Sequence, residues 1–223
     1  MTSRTVFITG GARGIGAAIA AELERRGCRI VAPTRAQMDL ADPASVDAYL
    51  RAHGRAAVDI LVNNAGINVL RAVGELDPAT FASMLQVNLG AALRLTQAFA
   101  PGMAERGWGR VLNVSTIFSL VTKERRAAYS MTKAALNALT RSTAVEYGPR
   151  GVLCNALCPG YVETALTSVN NSPAELDVIR SAIPLGRLAQ PAELAAVAGF
   201  LCGEENSYLT GQSIVVDGGF TCR

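Results

Sequence analysis

Two residues capable of proton chemistry lie four positions apart, Tyr129 and Lys133, in the run Tyr129-Ser130-Met131-Thr132-Lys133. The stretch from Ala127 to Tyr147 has helical periodicity, which puts both side chains on one face. A free tyrosine titrates at about pH 10, too high for easy proton exchange at neutrality. A neighbouring ammonium favours the phenolate and lowers that value, making Tyr129 a candidate general acid/base. Taken alone, the pair reads better as a helix-surface tyrosine beside a solvated lysine. Lysine is scarce, however: Lys123 and Lys133 are the only ones among 21 basic residues.

Two further motifs bear on the choice. Thr9-Gly10-Gly11-Ala12-Arg13-Gly14-Ile15-Gly16 joins an apolar strand to an apolar-faced helix. Glycines let the backbone approach a phosphate closely, and a helix N-terminus offers unpaired N–H groups to an anion. Asn63-Asn64-Ala65-Gly66 ends the apolar run Val58–Val62, at the edge where open α/β sheets bind ligands.

The elements that must hold these motifs alternate. Strands are predicted at Arg4–Thr9, Arg29–Pro33, Val58–Val62, Arg110–Val114, Val152–Cys158 and Ser213–Val216. Helices are predicted from the glycine turn to Arg26, and over Pro43–Ala52, Pro78–Arg106, Ala127–Tyr147, Pro173–Ala182 and Pro191–Cys202. Asp42 precedes Pro43 as an N-cap, and His53 is read in a loop after that helix. The pattern predicts an α/β fold, a single-domain Rossmann-type doubly wound parallel sheet with helices on both faces, over residues 1–223.

Composition removes other classes. Half of the 223 residues are hydrophobic and the net charge is +3, too mild and too evenly spread for a nucleic-acid partner. No apolar run approaches bilayer length, and Met1–Thr5 leads straight into the first strand without a signal pattern, so a cytoplasmic chain with no membrane partner is expected. The cysteines, 5 in number, form no CxxC pair, and the 1 histidine disfavours a Ser–His–Asp triad or a metal site.

With the glycine turn, NNAG and YxxxK in this order, the chain resembles the short-chain dehydrogenase/reductase family along essentially its whole length. Val87-Asn88-Leu89, Pro159-Gly160 before Thr164, and the ending Thr210-Gly211-Gln212 to Asp217-Gly218-Gly219 add to the likeness, which is nearest to the β-ketoacyl-carrier-protein reductase branch. The resemblance implies an NAD(P)(H)-dependent oxidoreductase acting on a small-molecule carbonyl or secondary alcohol, and a homo-oligomer, tetramer or dimer. It assigns the pyrophosphate to Gly10, Gly14 and Gly16, the adenine to Asp39 and Leu40, the adenosine side to Asn64, Ala65 and Gly66, the nicotinamide carboxamide to Val162 and Thr164, and further cofactor contacts to Ile15, Pro159 and Gly160. Lys133 would also hold the nicotinamide ribose beside Tyr129, and Asn88 would support a water-linked relay to the lysine. The family's third catalytic residue, a serine thirteen positions before the tyrosine, corresponds here to Thr116. Threonine keeps the hydroxyl that polarises a carbonyl but adds a methyl. Ser115 is expected to point the other way, and Ser119 lies farther off.

The cofactor's form can be argued from charge. The second strand ends Ala32-Pro33-Thr34-Arg35 without the carboxylate that would repel a 2′-phosphate, and Arg35 with Arg13 can clamp one, favouring NADP(H) over NAD(H). About three residues separate Arg35 from Asp39, where relatives carry a helix and part of a strand, so the adenosine end is expected to be open. The segment Thr164–Pro184, rich in Thr167, Ser168, Asn170, Asn171 and Ser172, favours a polar substrate. The run Lys123-Glu124-Arg125-Arg126 is either a solvated face or an attractor for an anionic substrate. Two rival classes stay open: a catalytically weak, regulatory cofactor-binding protein, and an epimerase or lyase on the same scaffold.

Overall fold

A computed structural model describes residues 4–53 and 57–222; Met1–Ser3, part of the amino terminus read above, lie outside the described residues. Six strands, β1 (Thr5–Ile8), β2 (Arg29–Val31), β3 (Ile60–Asn63), β4 (Gly109–Val114), β5 (Val152–Pro159) and β6 (Ser213–Val216), form one sheet in the order β2-β1-β3-β4-β5-β6. Every pairing is parallel. The chain reverses its direction of growth between β1 and β3, so the loops after these two strands flank the crevice where such sheets bind ligands.

Parallel strands buried on both faces read as continuous apolar runs, and each face is sealed by helices. On one face α1 (Gly14–Arg25) packs Ile19 and Leu23 against Leu194, Ala198 and Leu201 of α8 (Pro191–Cys202). On the other, α2 (Pro43–His53), α4 (Ala91–Glu105) and α5 (Ala127–Tyr147) bury Val46, Tyr49, Leu95, Phe99, Met103 and Ala144 over Phe7, Leu61 and Val111. No described helix is long and apolar enough to cross a membrane.

The structure corrects several sequence expectations. The second strand stops at Val31, two residues short, because Pro33 has no N–H for a ladder and this strand is the sheet's edge. The residues between it and α2 form turns only, as the short Arg35–Asp39 spacing foretold. The third strand begins at Ile60, since the Val58 carbonyl is taken by the Arg106 guanidinium at 2.6 Å. His53 is the last residue of α2, its ring stacked 4.0 Å from that of Tyr49. Asp42 does cap that helix, accepting from the Ala44 N–H at 2.9 Å.

The predicted helix Pro78–Arg106 is three pieces: α3 (Pro78–Leu85), a π-helical turn over Gln86–Gly90, and α4. The wider turn changes the hydrogen bonding and not the order of apolar residues, so hydrophobic periodicity does not register it. Such turns cluster at functional sites, and this one carries Asn88. Two short helices, α6 (Ala165–Val169) and α7 (Pro173–Ala182), lie between β5 and α8.

Candidate active site

The glycine turn fits a dinucleotide pyrophosphate. Gly10 and Gly14 have φ of 64° and 55°, a left-handed backbone that side chains disfavour. At Gly16 a side chain would run into the Gly10 carbonyl and the Asn64 amide. The turn is braced from the NNAG loop. Asn64 Nδ2 donates to the carbonyls of Thr9 (2.9 Å) and Gly10 (3.1 Å), while Thr9 Oγ1 accepts from the N–H groups of Asn64 (3.1 Å) and Ala65 (3.0 Å). Arg13, at the N-cap of α1, supplies no capping side chain, and the first turn holds no carboxylate, so the helix N-terminus is left for an anion.

The β5 loop closes on this turn. The Thr164 methyl lies 3.4 Å from where a Gly14 Cβ would stand. Gly160 presses on Asp217, its N–H donating to the Val216 carbonyl at 2.9 Å. The Val162 side chain is buried in the core, so only its backbone faces the crevice. At the adenosine end, Leu40 packs partly into the core, and Arg35 sets Nε and Nη2 3.2 Å from Asp39 Oδ2. The Arg35 side chain is 83 % exposed, and Arg13 is exposed as well.

Thr116, Tyr129 and Lys133 converge at the carboxyl end of β4. Thr116 follows the strand in extended conformation and accepts from the Phe118 N–H at 3.3 Å, which leaves its hydroxyl proton free to be donated. It lies close enough to the Tyr129 phenol to oppose the rise of its pKa. Ser115 faces the other way, onto the Lys133 carbonyl at 3.3 Å. Ser119 donates to the Thr116 carbonyl at 2.5 Å and accepts from Asn137 Nδ2 at 2.8 Å, fixing the turn that presents Thr116. The sequence reading missed Asn137; its place at i+4 from Lys133, on the face of Tyr129, was the available signal.

Lys133 is buried, its Nζ donating to the Val114 carbonyl at 2.7 Å. Burial drives its pKa down to about 8. The expected lowering of the Tyr129 pKa by Lys133 is not what the structure gives. Burial instead pushes the phenol up to about 12, and the charges and hydrogen bond opposing that come from Arg126 and Thr116. The ammonium is engaged by the Val114 carbonyl and sits 6.0 Å from the Tyr129 ring centre.

Asn88, buried in the π-helical turn, is fully occupied. Its Oδ1 accepts from the Ile67 N–H (2.8 Å), and its Nδ2 donates to the Ile67 carbonyl (2.9 Å) and Thr132 Oγ1 (3.1 Å). It therefore clamps the NNAG loop to α5. A Cβ on Gly66 would stand 3.2 Å from Asn88 Oδ1 and 3.4 Å from Lys133 Nζ, so these three residues meet. Beneath them Asn63 donates to Asn113 and Asn113 to Thr140, both at 2.8 Å, tying β3, β4 and α5 together.

The lid departs from the expectation of a polar lining. Its polar residues are engaged by neighbouring backbone and caps: Thr167 donates to the Val162 carbonyl, Asn171 to the Thr167 carbonyl, and Ser172 forms a capping box with Glu175. The side turned inward is apolar, with Leu176, Ile179 and Ile183 packed on Phe118, Tyr129 and Tyr161. Among the described residues no group of His, Cys, Asp and Glu is arranged to hold a metal.

Comparison with known proteins agrees with this geometry. A family model described as enoyl-(acyl carrier protein) reductase matches residues 33–221. An acetoacetyl-CoA reductase of Allochromatium vinosum is 35 % identical, over 97 % of this chain and 98 % of its own. A gluconate 5-dehydrogenase of Burkholderia cenocepacia, solved with NADP and tartrate, superposes with a TM-score of 0.94 at 31 % identity, covering 100 % of this chain and 97 % of that one. A 3-oxoacyl (acyl-carrier-protein) reductase of Agrobacterium tumefaciens, solved with NADP, has a TM-score of 0.87 at 33 % identity over 96 % and 93 % of the two chains. The chain belongs to the short-chain dehydrogenase/reductase family, an oxidoreductase family, in the branch that resembles the β-ketoacyl-carrier-protein reductases.

Proposed function

We propose that the protein is an NADP(H)-dependent oxidoreductase interconverting a carbonyl and a secondary alcohol. The observation that carries the reading is the convergence of Thr116, Tyr129 and Lys133 beside a braced, glycine-lined anion cradle. The names of relatives, an acetoacetyl-CoA reductase and a gluconate 5-dehydrogenase among them, support carbonyl–alcohol chemistry. NADP in the solved neighbours and the absence of a carboxylate at the end of β2 support the phosphorylated cofactor. Apolar side chains exposed on α4, α5 and β6, Leu93, Val145 and Val215, support a homo-oligomer.

Gly10, Gly14, Ile15 and Gly16 would hold the pyrophosphate, Asp39, Leu40 and Asn64–Gly66 the adenosine side, and Lys133 with Pro159, Gly160, Val162 and Thr164 the nicotinamide end. When bound, the cofactor supplies a hydride donor or acceptor at nicotinamide C4. Thr116 donates a hydrogen bond to the substrate oxygen and stabilises the charge growing there. Tyr129 gives that oxygen a proton in reduction and removes one in oxidation. Lys133 and the Asn88-clamped loop fix the floor on which the reacting carbon rests. Thr116→Ala is expected to lower turnover about 100-fold, the scale of one lost oxyanion donor, and Thr116→Ser to stay within about fivefold of wild type. Steady-state rates of the two variants check this; equal losses in both would remove Thr116 from the chemistry.

Fluorescence titration with NADPH and NADH, followed by absorbance assays on a panel of ketones, tests the reading. Tighter NADPH binding and its oxidation by a ketone are expected, and binding of neither nucleotide overturns it. Arg35→Ala is expected to weaken NADPH about tenfold or more, the scale of lost charge-assisted hydrogen bonds, and to leave NADH unchanged. An equal effect on both would mean that Arg35 serves only Asp39.

A further inference from the structure

Arg126 is 6 % exposed, and its guanidinium lies 4.6 Å over the Phe118 ring. Among the described residues no hydrogen bond or ion pair engages that side chain. A buried charge in this condition is costly. The contrast with Arg110, also buried, is direct: its guanidinium donates to the carbonyls of Gly109, Asn206 and Gly203. Among the described residues Glu124 of the same loop is exposed and forms no ion pair with Arg126, and the carboxylate of the lid does not serve it either. Glu175 is bonded to Ser172 and drawn by Lys123 and Arg125.

The backbone adds positive potential at the same place. Arg126 is the N-cap of α5, a helix of 21 residues with no capping side chain and no acidic residue in its first turn. The first intrahelical bond runs from the Ser130 N–H to the Arg126 carbonyl, so the N–H groups of Ala127, Ala128 and Tyr129 precede it. A cation at a helix N-terminus opposes the dipole; with an anion between them, both become favourable. The location borders the reacting groups, because Phe118, over which the guanidinium lies, packs with Tyr129, Tyr161 and the inward side of the lid.

We propose that Arg126 and the N-terminus of α5 receive the carboxylate of the substrate, so that the enzyme acts on a compact keto acid or its hydroxy acid. The proposal rests on the redox reading above. Residues three apart on a helix stand about 5–6 Å from each other, which places the carboxylate a few carbons from the carbonyl held by Tyr129. The Phe118 ring covers one side of the guanidinium, whose N–H groups are then available for a two-pronged bond to the carboxylate. Lys123 and Arg125, both exposed, steer the anion without binding it.

Calorimetric titration of tartrate and its neutral dimethyl ester, each into the protein with and without NADP+, tests this. Tartrate is expected to bind and the ester not. Arg126→Gln should weaken tartrate about 10- to 100-fold and Arg126→Lys less, with NADP+ affinity unchanged and the Arg126→Gln melting temperature no lower than wild type, because a costly buried charge is removed. A Lys123→Ala/Arg125→Ala double variant should stay within about twofold in affinity, because exposed charges contribute little. No tartrate binding, equal binding of the ester, or an unchanged Arg126→Gln affinity overturns the proposal. NADP+ binding with any of those results leaves the redox reading standing, whereas tartrate binding without NADP+ binding would overturn that reading and not the anion receptor.

Discussion

Tyr129→Phe is expected to lower turnover about 1000-fold, within the range that positioned acid–base groups contribute, while NADPH affinity and thermal stability hold. The phenylalanine keeps the ring that packs with Phe118, Tyr161 and the lid residues Leu176 and Ile179, so only the hydroxyl is lost. That hydroxyl is pushed up to about 12 by burial, with Arg126 and Thr116 opposing the rise. In this state it is a phenol at neutral pH, suited to giving a proton to a carbonyl oxygen. The pH dependence has a definite sign. Reduction needs the protonated form and should be level through neutrality, falling only as pH approaches that high value. Oxidation needs the phenolate and should climb with pH over the same range. Rate–pH profiles in both directions, with the variant's melting curve beside them, check the assignment. Unchanged turnover in the phenylalanine variant would remove Tyr129 from the reaction.

Lys133→Met should stop turnover and yet raise stability at pH 7. Lys133 is 2 % exposed and titrates at about 8, against 10.5 in the open chain, because burial disfavours its ammonium. Between these values the unfolded chain holds more protons than the folded one, so stability rises with pH. The destabilisation is complete below pH 8 and gone above 10.5. Methionine fills a similar volume without a charge, but it leaves the Val114 carbonyl without its 2.7 Å donor. The net expectation is a gain of about 1–2 kcal/mol at pH 7, or about 2–6 °C in melting temperature. The gain should shrink as pH rises from 8 toward 10.5. Melting curves of both proteins across that range decide it; a less stable variant at pH 7 would mean that the ammonium supports the fold. A charge that burdens the fold and is retained points to function.

The strands and most helices were legible in the sequence because apolar runs and 3.6-residue periodicity are properties of the chain itself. Helix α5 begins and ends where periodicity places it, and the lid helix α7 where Pro173 and periodicity do. What escaped depends on tertiary context. The π-helical turn around Asn88 changes hydrogen bonding without changing which residues are apolar. The shortened edge strand follows from Pro33 and from having no outer neighbour. For the site, the motifs gave the positions, but not the direction of the Tyr129 shift. Spacing places an ammonium near a phenol, and only packing tells whether burial or charge prevails. In the same way the run Lys123–Arg126 looked uniform, whereas folding exposes Lys123 and Arg125 and buries Arg126 alone of its cations.

The most direct test of hydride transfer uses NADPH carrying deuterium at C4 of the nicotinamide, mixed with the protein and a panel of short keto acids and neutral ketones. Mass spectrometry of the products reports where the label goes. Deuterium on the carbinol carbon of a product alcohol, from one of the two cofactor diastereomers only and lost in Tyr129→Phe, is the expected result. Label retained in bound cofactor across the panel, with no alcohol formed, would contradict it and favour a regulatory cofactor-binding protein.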